Sequence, residues 1–137
     1  MDIKIKKEMI DLQGFKILRD AVGWSLPPDD AINRSLSNTE FCVVAYADNE
    51  LAGMGRIIGD HGFVYFIADI IVKPEYQKKK VGYGIMKLIM EYLDENAPQN
   101  SYITLMAAKG KEEFYEKFGF FKRPTDEYGC GMMKILR

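Results

Sequence analysis

The sequence predicts a mixed α/β (α+β) domain, in which helices cover both faces of a mostly antiparallel central sheet. Two patterns support this prediction. Between residues 41 and 72, apolar runs are separated by the short turns "DNE" and "GDHG", which is typical of antiparallel hairpins. Residues 81–95 carry apolar side chains at helical spacing, which predicts an amphipathic helix after the strands. Helices that alternate with strands pack on the faces of the sheet, so we expect a layered fold.

The N-terminal part of the chain predicts one strand and two helices. Residues 3–6, "IKIK", alternate apolar and polar side chains, as a half-buried strand does. Residues 9–22 place their apolar side chains roughly on one helical face, and Gly23 is the expected stop. A loop with two prolines then leads into a short helix, for which Asp29 or Asp30 is the expected cap.

The middle and C-terminal parts of the chain are predicted to be rich in strands. Strands are expected at residues 41–47, 51–58, 63–72 and 101–108. A short helix is expected at residues 111–119, where the last residue is a glycine stop. The segments "FFKRP" and "GMMKILR" are predicted as two final strands. The glycines of "GMGRIIG" lie inside a predicted hairpin, so they are interpreted as structural.

Composition and charge limit the function. With 137 residues, 47% of them hydrophobic and 28% charged, the chain is expected to form a single globular domain over residues 1–137. Its formal net charge of -1 argues against nucleic acid as a partner. The most apolar run, residues 63–72, is too short to span a bilayer and contains Asp69, so no membrane partner is expected.

The cysteines and the histidine exclude further classes of protein. Cys42 and Cys130 are expected to be reduced thiols, since the N-terminus carries no export signal, and the protein is expected to be cytoplasmic. Neither cysteine has the spacing of a zinc site. His61 is the only histidine, which excludes a histidine-based metal cluster, so no metal is expected.

The segment "YQKKKVGYG", residues 76–84, conflicts with the electrostatics of a helix start. Three lysines, residues 78–80, precede the helix, although a helix N-terminus carries partial positive charge and prefers acids. Gly82 and Gly84 lower helix propensity there, by up to about 1 kcal/mol each. A strand, a glycine-containing turn and a helix N-terminus together expose backbone N–H groups that bind phosphate. The segment therefore predicts a phosphate site, while a solvated lysine loop stays open as the alternative.

The residues around this segment resemble a known family. "IADIIVKPEYQKKKVGYGIMKLIMEYL" is similar to the central motif of the GNAT superfamily of N-acetyltransferases, V-x-P-x-[YFW] at a strand end and [QR]-x-x-G-x-[GA] at a helix start. The matching residues are Val72, Pro74, Tyr76, Gln77 and Gly82. "FYEKFGF" resembles the family's second landmark, [FY]-Y-x-x-x-G-F. Lys80 departs from the motif, because the family usually has glycine there.

The resemblance covers residues 40–137 and implies acetyl-CoA as the donor. In such a protein the strand that ends at Val72 separates from the next strand, and the pantetheine arm pairs with it in the gap. Backbone N–H groups after that strand hold the pyrophosphate. The cofactor-binding residues implied are Ile70, Ile71, Val72, Gln77, Lys78, Lys79, Lys80, Val81, Gly82 and Tyr83.

The resemblance also implies roles in catalysis. Tyr115 stands where the family places a tyrosine that protonates the departing thiolate, and a phenol with a pKa of about 10 suits that task. Asp69, a carboxylate in an apolar strand, is a candidate base or amine-binding group. Trp24 and Asp29 are candidates for the wall of the acceptor pocket. For each of these residues, a role in packing or hydrogen bonding alone stays open.

The expected function is N-acetyl transfer from acetyl-CoA to a primary amine, by direct attack in a ternary complex. A backbone N–H near Ile71 would polarise the thioester carbonyl. The alternative is a non-catalytic sensor of CoA or acyl-CoA on the same fold, which only Lys80 supports. A third interpretation, nucleic acid bound by the lysines, is disfavoured by the near-neutral charge. The acceptor, a small molecule or a peptide, stays open, and the resemblance implies a homodimer.

Overall fold

The computed structural model describes all residues, 1–137. The chain forms two compact units, Met1–Leu105 and Met106–Arg137. The first unit contains β1 (Ile3–Lys7), α1 (Leu12–Ala21), α2 (Asp29–Ser37), β2 (Phe41–Ala47), β3 (Glu50–Gly59), β4 (Val64–Val72), α3 (Val81–Asn96) and β5 (Tyr102–Leu105). The second unit contains one short helix, α4 (Glu112–Glu116). That residues 1–137 act as a single domain stays a prediction.

The five strands form one sheet in the order β1-β2-β3-β4-β5. Neighbouring strands from β1 to β4 are antiparallel, whereas β4 and β5 are parallel. A parallel pair requires a long crossover connection, which α3 supplies between β4 and β5. The predicted fold class, a mixed and mostly antiparallel sheet with helices, is confirmed.

Side-chain alternation along the central strands separates two layers of core. Cys42 and Val44 of β2 and Met54 of β3 belong to the core layer that also contains Phe15 and Leu18 of α1. The intervening residues of the same strands point to the opposite face, since the period of a strand is two. There α3 covers β2 and β3 with a buried apolar stripe. The buried residues of α3 are Val81, Ile85, Met86, Ile89 and Leu93.

Two glycines of β3 allow α3 to lie close to the sheet. A Cβ added at Gly55 would lie 2.7 Å from Cγ2 of Ile85 and 2.9 Å from Cδ1 of Ile89. A Cβ added at Gly53 would lie 2.5 Å from a backbone carbonyl oxygen of β4. Only glycine permits such an approach of helix and strand. The prediction that the glycines of this strand are structural is therefore confirmed for Gly53 and Gly55.

The two final strands predicted for "FFKRP" and "GMMKILR" are not formed, and that prediction is wrong. Residues 120–137 contain no helix or strand, and the side chains of residues 121–137 are exposed. The Thr125 N–H donates to the Tyr128 carbonyl at 2.8 Å, which closes a turn instead. An apolar pattern becomes a strand only where a neighbouring strand completes the hydrogen-bond ladder, and a local pattern does not reveal that partner.

The predicted cap of α2 is also wrong. The helix begins at Asp29, and its N-cap is Pro28, which makes no side-chain capping bond. Asp29 and Asp30 lie in the first turn, where a negative charge is favourable because it opposes the positive end of the helix dipole. The predicted stop of α1 is close to the observed one, since the helix ends at Ala21.

Two further features of the chain bear on its chemistry. None of the helices has the length and apolar character that crossing a membrane requires. Cys42 is buried, Cys130 is exposed, and neither forms a disulfide, so the prediction of two free thiols is confirmed. Burial raises the pKa of the Cys42 thiol above its ordinary value, which keeps that sulfur protonated and unreactive.

Replacing Gly55 by alanine is expected to destabilise the fold by about 1–3 kcal/mol, because the new methyl group overlaps packed side chains of α3. Chemical denaturation of the purified variant measures the change in the free energy of unfolding. Gly129→Ala is the matched control, since nothing lies within 4 Å of a Cβ at that position. Equal stability of the two variants would contradict the close packing of α3 on β3.

Candidate functional site

The connection from β4 to α3 is a tight loop that is tied to the end of the strand. It begins with a single 3-10 turn over Pro74–Tyr76. The side-chain amide of Gln77 donates to the carbonyl of Val72 at 2.9 Å, which joins the loop to the last residue of β4. Lys78 and Lys80 have left-handed backbone conformations, with φ of 62° and 64°. The loop therefore has a defined path, and the Gln77 side chain holds that path.

The start of α3 offers backbone donors that the helix itself does not use. Lys80 is the N-cap and makes no side-chain capping bond, and the first turn contains no acidic residue. The first N–H groups of a helix have no partner within the helix, and together with the helix dipole they favour an anion. The side chains of residues 78–80 are exposed lysines that add positive charge nearby. The loop thus fits a phosphate-bearing ligand such as CoA.

Lys80 adopts the kind of backbone conformation that glycine usually provides. Its φ of 64° and ψ of 17° are left-handed, which costs a residue with a side chain about 1–2 kcal/mol. The Lys80 carbonyl still accepts a helical hydrogen bond, from the N–H of Gly84 at 3.1 Å. Lys80 therefore takes a conformation that glycine adopts without strain, and it still begins the helical hydrogen bonding of α3.

The two glycines at this helix start have different surroundings. A Cβ at Gly84 would overlap Cδ1 of Ile5, so Gly84 allows α3 to pack on β1. Gly84 therefore has a packing role, because a protein side chain already uses the space beside it. The role of Gly82 as a ligand contact stays a prediction.

Strand β4 contains a bulge at Asp69. Its register with β3 shifts between Met54 and Arg56, so that Asp69 and Ile70 together oppose one residue of β3. Asp69 has a φ of 55°, which is left-handed and unusual for a residue inside a strand. A bulge interrupts the ladder and turns the strand, which changes the direction of the backbone groups that follow.

The same strand extends beyond its pairing with β5. Residues Val64–Ile67 pair with Tyr102–Leu105, but β4 continues to Val72. The predicted separation of these two strands is therefore confirmed. Three of the residues predicted to bind the cofactor lie in the part of β4 that has no β5 partner: Ile70, Ile71 and Val72.

Two arginines bind the carboxylate of Asp69. Nη1 of Arg19 donates to one carboxylate oxygen at 2.8 Å, and Nε of Arg56 donates to the other at 2.8 Å. The side chains of Asp69 and Arg56 are 8% and 6% exposed, and that of Arg19 is 20% exposed. Both carboxylate oxygens are therefore engaged in charge-assisted hydrogen bonds in a largely buried setting. We call these three side chains the arginine bridge.

Each arginine of the bridge is held by a second set of contacts. Arg56 donates to Ser35 Oγ and Thr39 Oγ1, both at 2.9 Å. Arg19 donates twice to the carbonyl of Ser25, at 3.0 and 2.8 Å. The Arg19 guanidinium also lies 5.4 Å from the centre of the Trp24 ring, within the range of a cation–π contact. The bridge therefore links the bulge of β4 to both N-terminal helices.

Sequence reasoning missed both arginines. Arg56 is the only charged residue in the predicted strand over residues 51–58, just as Asp69 is the only charged residue in residues 63–72. Opposite charges in adjacent strands of a predicted hairpin are a signal for an ion pair, since cross-strand neighbours lie close together. For Arg19 there was no comparable signal, because it follows Leu18 in an ordinary amphipathic helix.

The acidic residues considered for a cationic acceptor are all paired with basic residues. Asp29 forms an ion pair with Lys16 at 2.9 Å, and Asp30 forms one with Arg34 at 3.1 Å. Asp69 belongs to the arginine bridge. None of these carboxylates is left without a cation. Of the predicted acceptor-site residues, the structure brings Trp24 next to the bridge, and it is 36% exposed.

The second unit places Tyr115 on α4 among other aromatic residues. The Tyr115 ring meets Phe114 edge-on at 5.0 Å and Phe120 at 6.5 Å between ring centres. Tyr115 is 9% exposed, and burial raises the pKa of its phenol above the ordinary value of 10.0. Gly119, at a φ of 92°, is the left-handed residue after this short helix. Tyr115 is thus a largely buried phenol that keeps its proton at neutral pH.

One family model covers the β4–α3 loop, Asp69 and Arg56 of the arginine bridge, and α4. The family model described as acetyltransferase (GNAT) domain matches residues 23–131. The chain belongs to this family. Every residue predicted for the site, from Trp24 to Tyr115, lies inside the matched range of the GNAT domain.

Individual proteins are similar to this GNAT domain over most of their length. The uncharacterized N-acetyltransferase ycf52 of Pyropia yezoensis is 31% identical, over 88% of this chain and 70% of that protein. A probable acetyltransferase from meticillin-resistant Staphylococcus aureus is 33% identical, with a TM-score of 0.85 over 98% of this chain and 100% of that one. A GNAT family acetyltransferase from Streptococcus pneumoniae is 30% identical, with a TM-score of 0.80 over 99% of each chain. These similarities indicate an N-acetyltransferase.

Replacing Lys80 by glycine is expected to raise or preserve the stability of the GNAT domain, because glycine adopts the left-handed conformation without strain. Lys79→Gly is the matched control, since Lys79 is not among the left-handed residues. That control should lower stability by about 0.5–1 kcal/mol. Urea denaturation of both variants measures the difference. If Lys80→Gly is destabilised as much as Lys79→Gly, Lys80 is not strained.

Proposed function

We propose that this domain transfers the acetyl group of acetyl-CoA to a primary amine of a small molecule or peptide, by direct attack in a ternary complex. The observation that carries the proposal is the loop before α3, with its left-handed Lys78 and Lys80 and its uncapped helix start. It joins the open end of β4 directly, through the Gln77 bond to Val72. Membership of the GNAT family supplies the donor and the reaction type.

The donor is held by backbone groups more than by side chains. The pyrophosphate accepts hydrogen bonds from N–H groups between Lys78 and Tyr83, and the exposed lysines of residues 78–80 add attraction without a fixed geometry. The pantetheine arm pairs with Ile70–Val72 on the side of β4 that has no β5 partner. Extended backbone can pair there in the manner of an added strand.

The reaction forms a C–N bond and breaks the C–S bond of the thioester that acetyl-CoA supplies. A backbone N–H near Ile71, after the bulge, polarises the carbonyl oxygen as the amine attacks. The amine gives up a proton to water, and Tyr115 donates a proton to the departing thiolate. Because burial raises the pKa of the phenol, Tyr115 stays protonated over the range in which a free amine is available.

The alternative function is a non-catalytic sensor of CoA. It depends on Lys80, which replaces the usual glycine of the motif. The left-handed conformation of Lys80, which glycine also adopts, supports the enzyme over the sensor. Release of free CoA from acetyl-CoA, measured across a panel of small amines and peptide N-termini, distinguishes an enzyme from a sensor.

Replacing Tyr115 by phenylalanine is expected to lower kcat by about 10²–10⁴-fold, because the departing thiolate loses its proton donor. The Kd of CoA should not change. Tyr128→Phe is the matched control in the same unit, since Tyr128 is an exposed phenol, and it should keep wild-type kcat. Wild-type kcat in Tyr115→Phe would show that Tyr115 is not the proton donor to the thiolate.

The pH profile gives the same residue a second test. The folded pKa of Tyr115 lies above 10.0, so the group loses its proton only at higher pH. The wild-type profile should therefore show no fall that depends on Tyr115 below about pH 10. A falling limb at neutral pH that disappears in Tyr115→Phe would contradict this.

Replacing Gly82 by leucine is expected to weaken CoA binding at least about tenfold, because a side chain at the helix start blocks the approach of the pyrophosphate. Titration calorimetry with CoA measures the Kd. Met90→Leu, on the same helix but away from its start, is the control and should bind CoA as wild type does. An unchanged Kd of CoA in Gly82→Leu would mean that this loop does not bind the pyrophosphate.

A further inference from the structure

Asp69 is the most constrained residue of the candidate site. It combines a left-handed backbone, a position inside a bulge and a carboxylate whose two oxygens are both bound by arginines at 2.8 Å. As a candidate base, it would need a carboxylate oxygen that faces the amine and can take up a proton. The observed contacts commit both oxygens to guanidinium groups instead.

We propose that Asp69 is a positioning residue, which acts through the arginine bridge to hold the bulge of β4 and the backbone of Ile70 and Ile71 in place. This inference rests on the proposed acetyl transfer, because those backbone groups face the donor in that proposal. Asp69 takes no proton during the reaction. Its task is to keep the backbone N–H that polarises the carbonyl at a constant position.

The charges of the bridge favour this role over proton transfer. Two guanidinium groups face one carboxylate in a largely buried cluster. Each carboxylate oxygen already accepts a hydrogen bond from a guanidinium group at 2.8 Å, so the geometry leaves no oxygen without an arginine donor. The neighbours of the bridge, Ser35, Thr39 and the Ser25 carbonyl, are neutral and supply no second anion.

The bridge also has the connections that positioning requires. Arg56 comes from β3, across from the bulge, and its other contacts reach the end of α2. Arg19 comes from α1, and its ring contact with Trp24 extends the bridge to the loop before α2. If a bound acceptor moves the N-terminal helices, the ion pairs of the bridge therefore move the backbone of β4 with them.

The test is a double-mutant cycle with Arg19→Met and Asp69→Asn, separately and together. Each single variant is expected to lower kcat about 10–100-fold, as small displacements of reacting groups do, while the KM for acetyl-CoA changes little. Because both act through one bridge, the double variant should lose no more than the worse single variant. The shape of the pH profile of kcat/KM should survive in Asp69→Asn.

A readout without turnover keeps this inference separate from the proposed function. The backbone amide resonances of Ile70 and Ile71 should shift in both single variants, whether or not an acceptor is known. Tyr92→Phe, which removes a 2.8 Å bond to Glu40 outside the bridge, is the control and should leave both amides and kcat unchanged. Arg19 is the more exposed partner, so Arg19→Met supplies the answer if Asp69→Asn does not fold.

Two results would overturn the inference. One is a loss of kcat in Asp69→Asn but not in Arg19→Met, together with the loss of the acidic limb of the pH profile of kcat/KM in Asp69→Asn. That result would assign Asp69 as the base. The other is unchanged Ile70 and Ile71 amides in both variants, which removes the positioning role. If no amine supports turnover in the wild type, the proposed function fails. The amide resonances of Ile70 and Ile71 then decide by themselves whether the arginine bridge positions the β4 backbone.

Discussion

The arrangement of the candidate site depends on one carboxylate held between two arginines. Asp69 sits in a left-handed conformation inside a strand, which a residue with a side chain seldom adopts. Its two charge-assisted bonds of 2.8 Å compensate for that conformation. Because Arg19 and Arg56 are anchored in turn on Ser25, Ser35 and Thr39, the bulge cannot relax without breaking a buried network. Removing Asp69 would leave both arginines without their carboxylate partner, whereas removing one arginine leaves Asp69 paired with the other.

Strand β4 brings the separate parts of the proposed donor site onto one element. Its bulge, its end without a β5 partner and the loop that leads into α3 follow one another within a few residues. The glycines of β3 let α3 lie close to the sheet, and Gly84 does the same against β1. Close packing of α3 therefore places its N-terminus beside the end of β4, where the two would contact a single extended ligand.

Local patterns explain why some predictions were confirmed and others were wrong. The strands β2, β3 and β4 were predicted within a residue or so, because turns and apolar runs bound them on both sides. The final strands were predicted from composition alone, and no partner strand is present to complete them. The packing of Gly84 against Ile5 was not predicted, because the two residues are distant in the sequence. Likewise, the sequence makes Asp69 a candidate base or amine-binding group, because nothing local shows that Arg19 binds its carboxylate.

The sequence by itself determined the family and the order of elements as far as α4, since motifs, apolar periodicity and turn residues are all local in the chain. The tertiary structure alone decided that Arg19 meets Asp69. Arg19 and Asp69 are 50 positions apart in the chain, so no periodicity or motif connects them. Their contact exists because α1 packs on the sheet at the bulge, and only the folded chain brings the two groups within hydrogen-bonding distance.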